Sequence, residues 1–291
     1  MKKLLSLSLA VVLVASIFAG CAKKDGKDDT ATTSKSDATY VILEEALAEE
    51  EYSVGFRKDD VALCQAFEKT LAEMKDDGKF AKIDKKWFGE EVNILDKTKI
   101  KADATDGSLE KVKTAGKFVL GLDASFPPMG FTDNDDTIVG YDIDLAREVC
   151  KRLGVELVLQ AIDWTANDQE LKSGNIDCIW NGFTTNPKRQ AALCMSTPYL
   201  ENSQVVVTLA GSNIKTLADL AGKTLTIQGA STAGDALDSK PDVKSGLKGG
   251  AAIEVDDNVL AMFDLKAGGS DAVLMDKVVA EYYVTNPNAG K

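Results

Sequence analysis

The stretch from Phe118 to Arg189 constrains this chain most, because buried-strand runs and helix signals alternate through it. Phe118–Leu122 (Phe-Val-Leu-Gly-Leu) reads as a buried strand. It stops in Asp123-Ala124-Ser125-Phe126-Pro127-Pro128, a loop carrying a carboxylate and an aromatic ring. Gly140-Tyr141-Asp142-Ile143-Asp144-Leu145 opens a helix whose apolar face is Ile143, Ala146, Val149, Cys150 and Leu153, and Gly154 closes it. Val155–Leu159 is a second strand. A third, Ile176–Trp180, runs into Asn181-Gly182-Phe183-Thr184-Thr185, and Asn186-Pro187 caps the helix that carries Arg189. This order predicts an α/β fold with a doubly wound, mostly parallel sheet, which binds ligands outside the carboxyl ends of its strands. Asp123, Phe126, Thr184 and Arg189 fall at that edge.

Composition removes several functions. The net charge of −12 argues against nucleic acid as a partner, since phosphate binding wants a basic surface. Histidine is absent, which excludes Ser-His catalysis, His-ligated metals and the usual neutral-pH general base. Five cysteines lack any Cys-x-x-Cys spacing, so neither zinc nor any other metal or cofactor is implied. At 291 residues and 44% hydrophobic content, the chain is large enough for two modest cores.

The signature Gly140-Tyr141-Asp142-Ile143-Asp144-Leu145, continued by Val149-Cys150 and Leu153, resembles that of the amino-acid-binding family of extracellular solute-binding proteins, which serve ABC importers. The resemblance implies a two-lobed periplasmic-binding-protein-like fold (type II), each lobe a doubly wound sheet, the two joined by hinge strands. It covers nearly all of the chain beyond the leader, but in an unusual order. Tyr52-Ser53-Val54-Gly55-Phe56-Arg57-Lys58-Asp59-Asp60 is a strand running into a helix whose face is Val61, Cys64, Phe67, Leu71 and Met74; a shorter helix places Phe80, Ile83 and Trp87 inward. In the family such a block closes the chain. Here it precedes the signature, which we read as a circular permutation; a separate helical N-terminal domain is the alternative.

The expected organisation follows. Residues 1–20 form a signal peptide, with Lys2-Lys3 before a short apolar core. Phe18-Ala19-Gly20-Cys21 resembles a lipobox, which makes Cys21 the lipidated residue, and residues 21–39 a polar tether. The protein would then be exported and anchored to the cell membrane by lipid. Residues 50–204 form lobe 1, in which 50–95 are the former C-terminal block and 96–107 the new linker. Residues 205–291 with 40–49 form lobe 2. There Ser203–Leu209 and Thr224–Ile227 are strands, Ser231-Thr232 caps a helix, a second helix from Asp257 turns Val259, Leu260 and Phe263 inward, and Asp271–Met275 is a strand ending at Asp276. Cys178 and Cys194 are candidates for a disulfide.

A free amino acid offers a carboxylate, an ammonium and a side chain. The carboxylate wants a guanidinium and helix-start N–H groups, which Arg189 and Ser231-Thr232 supply. Asp123 and Asp276 are acidic acceptors for the ammonium, and Thr184 and the Gly182 carbonyl add hydrogen bonds. By resemblance these are main-chain-recognising positions; Phe126 matches the stacking aromatic and Trp164 the side-chain wall. Asn181 and Gln228 are polar wall candidates, and Phe131 reads as structural. The function expected is capture of a free amino acid by a monomer for an ABC transporter permease, not catalysis. The rivals are a ligand-sensing module for a receptor and a periplasmic dehydratase on the same scaffold.

Overall fold

The computed structural model describes residues 39–100 and 103–287. The leader, Cys21 and the tether up to residue 38 therefore lie outside the described residues. Thirteen strands follow in chain order: β1 Tyr40–Ile42, β2 Ala48–Arg57, β3 Lys117–Leu122, β4 Ser125–Phe126, β5 Gly130–Thr132, β6 Ile138–Val139, β7 Glu156–Ala161, β8 Cys178–Thr184, β9 Leu193–Met195, β10 Leu200–Leu209, β11 Leu225–Gln228, β12 Ile253–Val255 and β13 Ala272–Asp276. The helices are α1 Val61–Asp76, α2 Lys79–Phe88, α3 Ser108–Ala115, α4 Tyr141–Leu153, α5 Asn167–Ser173, α6 Pro187–Ala192, α7 Thr232–Asp238, α8 Pro241–Gly246, α9 Asn258–Ala267 and α10 Lys277–Thr285.

One sheet runs β12-β11-β13-β10-β2-β8-β3-β7, with β1 beside β10 and β9 beside β2. Its flanks are parallel (β3 with β7 and β8, β11 with β12 and β13), as crossover helices require. Its centre is antiparallel. There β2 and β10 pair with each other from Leu200↔Tyr52 to Gln204↔Ala48. Beyond that segment they part: β2 continues along β8 and β9, and β10 along β13 and β1. Two half-sheets are thus joined through a pair of long strands. Strands β4, β5 and β6 make a separate small sheet.

Three apolar clusters hold the described residues together, and two of them carry most of the frame around the strands. The larger gathers Phe56, Phe67, Phe118, Trp180, Tyr141 and Tyr199 beneath β2, β3 and β8; the second packs Val206, Leu225, Ile227, Leu237 and Leu274 around β11 and β13. Helix α4 buries Ile143, Ala146, Val149 and Cys150 on the face expected, and Gly154 ends it at φ 73°, a left-handed turn that suits glycine.

Some local expectations fail. The third strand starts and ends later than Ile176–Trp180 because polar Asn181 and Thr184 stay in the sheet, with Phe183 buried between them. In α9 the buried face is Asn258, Ala261, Met262 and Leu265, while Leu260 and Phe263 are exposed at 45% and 67%. That helix is apolar on two sides, so its period did not choose; the Asn258 amide donating to Gln228 Oε1 at 3.0 Å points the other face inward. Cys178 is a free, buried thiol. It and Cys194 both register with Phe56, but from opposite sides of β2, so no disulfide joins them.

Candidate functional site

Asp123, Phe126, Trp164, Asn181, Gly182, Thr184, Arg189, Gln228, Ser231, Thr232 and Asp276 line a single cavity of about 300 Å³, open mouth included. The topology brings these residues together. Asp123 follows β3, Asn181, Gly182 and Thr184 end β8, Gln228 ends β11, and Asp276 ends β13, all at carboxyl edges of parallel strands. Trp164 sits on a single 3-10 turn after β7, Phe126 on β4, and Arg189 in the first turns of α6.

Arg189 is held from below. Asn186 caps α6 by accepting from the Arg189 N–H at 2.8 Å, and the Arg189 Nη1 donates to the Thr184 carbonyl at 2.7 Å. The guanidinium lies 3.8 Å from the centre of the Phe183 ring, a cation–π contact. No carboxylate of the described residues lies within ion-pair distance of it. Burial pulls its pKa down to about 10, while Glu50 and Asp276 hold it up, so it stays cationic at neutral pH. A partly buried guanidinium with a free edge is a ready anion receptor.

Asp276 stands at the N-cap position of α10 but caps nothing. Its Oδ1 instead accepts from Tyr52 Oη at 2.6 Å and from Asn202 Nδ2 at 2.7 Å. Burial, and then the charge of Glu50, raise its pKa. Glu50 Oε2 accepts from Thr184 Oγ1 (3.1 Å), Asn202 Nδ2 (3.0 Å) and Gln204 Nε2 (3.0 Å). The Asn202 amide therefore serves two carboxylates. Glu50, Tyr52, Asn202 and Gln204 escaped the sequence reading. Asn202 and Gln204 carried a signal, two amides at a spacing of two just ahead of the apolar run Val205-Val206-Val207, which places both on one face.

Asp123 forms a different end of the cavity. Its Oδ1 accepts from the N–H and hydroxyl of Ser125, at 2.9 and 2.5 Å, and its Oδ2 from Gln228 Nε2 at 2.7 Å. Burial raises its pKa against those hydrogen bonds. It shares no hydrogen-bond partner with Asp276 among the described residues. Thr184 Oγ1 and Thr232 Oγ1 approach to 3.4 Å across the cavity. Ser231 caps α7, accepting from the Ala233 N–H at 3.3 Å. Phe131 stays outside, against Trp87 and Tyr282. No His/Cys/Asp/Glu group among the described residues could hold a metal ion.

Two half-sheets joined by a strand pair, with a cation and an acid facing one gap at the strand ends, define a type II periplasmic binding-protein fold. A solved substrate-binding protein of an ABC uptake transporter from Streptococcus pneumoniae, crystallised with histidine, is similar at a TM-score of 0.60 and 35% identity, over 61% of this chain and 72% of that one. The chain belongs to the bacterial extracellular solute-binding proteins, family 3, whose model matches residues 13–90 and 118–281. Among curated relatives, the L-cystine-binding protein TcyJ of Escherichia coli (strain K12) is 29% identical over 65% of this chain and 70% of its own length. The ABC transporter arginine-binding protein 1 of the same organism is 33% identical over 60% and 70%. No helix among the described residues is long and apolar enough to cross a membrane.

Proposed function

We propose that this chain captures a free amino acid in the Arg189–Asp276 cavity and presents it to an ABC transporter permease. The observation that carries the reading is the Arg189 guanidinium, held toward the cavity without a carboxylate partner while an acid stands across the gap. Arg189 with Thr184 and Thr232 takes the α-carboxylate, and Asp276, supported by Tyr52 and Asn202, takes the ammonium. Asp123 with Gln228 meets the side chain, which suits a ligand ending in N–H or other polar groups; relatives are named for cystine and arginine binding.

Enclosure makes this energetically reasonable. Micromolar affinity is about −8 kcal/mol. An amino acid of roughly ten heavy atoms must then yield about −0.8 kcal/mol per atom, near the small-ligand ceiling. Only desolvated, charge-assisted hydrogen bonds of about 1.5–3 kcal/mol each reach that. Lobes closing about the β2–β10 pair would provide the desolvation. A thermal-shift screen of the twenty amino acids with cystine and ornithine, followed by calorimetry on the hits, tests the reading; no heat with any zwitterion overturns it.

Permutation is the second part of the proposal. It is supported by the family model matching in two separate stretches, and by α10 packing on both β10 and β1. A gene reordered to begin at Asp106, so that α3 and its cap are kept, with Tyr40–Asp96 moved behind Pro287, is expected to fold and bind with unchanged affinity. We read the protein as a monomer tethered through lipidated Cys21, which C21A would release from the membrane fraction. We read it as a binder, not an enzyme; turnover of prephenate would overturn that.

A further inference from the structure

The family signature contains a buried acid that the binding scheme leaves unused. Asp142, the second residue of α4, is fully buried, and no cation among the described residues pairs with it. Its Oδ2 accepts from the Gly182 N–H at 2.7 Å and its Oδ1 from Tyr199 Oη at 2.7 Å. A buried carboxylate without a cation is costly, so the structure around it must gain something in return.

What it holds is a break in β8. Ser53 pairs with Phe183 but Gly55 pairs with Ile179, so Trp180, Asn181 and Gly182 stand against Val54 alone. Residues in such a bulge lose their ladder partners, and their N–H groups need another acceptor. Gly182 adopts φ 59°, and a Cβ there would meet Phe126 Cε1 at 2.8 Å and Tyr52 Cε2 at 3.0 Å. The bulge is also tied forward, since Asn181 Oδ1 accepts from the Asp123 N–H at 3.0 Å. Asn181 and Gly182 both line the cavity. On the other side, Tyr199 immediately precedes β10, and its N–H donates to the Tyr52 carbonyl at 2.9 Å.

We propose that Asp142 is a positioning residue for the ligand: by accepting the Gly182 N–H it fixes the β8 bulge that presents Asn181 and Gly182 to the cavity, and through Tyr199 it ties that floor to the strand pair between the half-sheets. The proposal rests on the amino-acid-binding reading for its affinity arm only. The requirement is for an acceptor at the Oδ2 position, not for charge. Asparagine can supply it, with its Nδ2 donating to Tyr199 Oη; leucine cannot.

The test compares wild type, Asp142→Asn and Asp142→Leu in the full chain, by calorimetry with the amino acid that wild type binds and by hydrogen exchange at the Gly182 amide without ligand. Asp142→Asn should keep affinity within a factor of about 3 and leave the Gly182 amide protected; Asp142→Leu should lose about tenfold or more, one hydrogen bond's worth, with Gly182 exchanging fast. A folded Asp142→Leu protein that binds like wild type overturns the proposal. So does Asp142→Asn binding as poorly as the leucine variant, which would make charge the essential property. Should leucine prevent folding, a fast-exchanging Gly182 amide in wild type or in Asp142→Asn still refutes it. If wild type binds no amino acid, the proposed function fails, while the exchange result continues to judge Asp142.

Discussion

The two walls of the cavity are built differently. The wall from β3, β8 and α6 is tied to itself: Arg189 to the Thr184 carbonyl, Asn181 to the Asp123 N–H, Gly182 to Asp142. The wall from β11, β13 and α7 contributes Asp276, whose hydrogen bonds come from Tyr52 on β2 and Asn202 on β10. One wall therefore carries its cation on internal supports, while the other has its acid oriented by the strands that join the halves. The difference teaches where sensitivity to motion should lie. Rotation about the joining strands would leave the Arg189 supports intact and would alter those of Asp276.

Removing the cation should have the largest effect. Arg189→Ala is expected to weaken amino-acid binding by about 100-fold or more, because a buried ion pair broken on one side costs about 3–5 kcal/mol. Its unfolding midpoint should fall only modestly, since among the described residues Arg189 gives up one hydrogen bond to the Thr184 carbonyl and a ring contact with Phe183 but no ion pair; titration calorimetry beside a melt separates the two. Asp276→Asn should follow at about tenfold to 100-fold, the loss of one charge-assisted bond. Acidification should imitate it in wild type. Burial and Glu50 raise the Asp276 pKa, so protonation sets in at milder acidity than for an ordinary carboxylate, and affinity falls as pH drops. If affinity is flat from pH 8 to pH 5, Asp276 does not receive the ammonium.

How much of this was legible depends on which wall is considered. Asp123, Thr184 and Arg189 could be placed because each follows a strand or cap signal written in neighbouring residues: Phe118–Leu122, Asn181–Thr185 and Asn186-Pro187. Ser231 and Asp276 were reached through the same strand-end logic. Glu50, Tyr52, Asn202 and Gln204 were not, because their role arises from a pairing between residues some 150 positions apart, such as Glu50 with Asn202. The inward face of α9 was misread since Leu260 and Phe263 are as apolar as Met262 and Leu265; only the bond from Asn258 to Gln228 distinguishes the faces. The Gly182 bulge was invisible for a related reason. A β8 sequence with two extra residues looks like a longer strand until its partner is known.

Asp142 sharpens the contrast through stability. Burial raises its pKa from 3.8 to about 7. Between those values the folded state binds a proton that the unfolded state does not, so this group's stabilising contribution is complete below pH 4 and lost as pH rises through 7. Asp142→Asn should therefore raise the unfolding midpoint most at pH 8, less at pH 5, and change it little below pH 4. A midpoint lowered at pH 8 would mean that the charged form is the one the fold prefers.

The smallest effect belongs to the residue between the walls. Glu50 is half-buried and accepts from Thr184 on one wall and from Asn202 and Gln204 on the joining strand. Glu50→Gln removes a charge that raises the Asp276 pKa while leaving a carbonyl oxygen that can take the place of Oε2 for those donors. Two opposed consequences follow. Asp276 should ionise more readily, which favours the ammonium, while Arg189 loses a nearby negative charge that holds its own pKa up. Because Arg189 stays cationic at neutral pH in either case, the first consequence dominates at acid pH and neither matters much at pH 8. The expected result is affinity within about threefold of wild type at pH 8, less than 1 kcal/mol, with the acid-side loss of affinity shifted to lower pH. An unshifted profile would show that Glu50 and Asp276 do not sense each other, and would leave the orientation of the acid to Tyr52 and Asn202 alone.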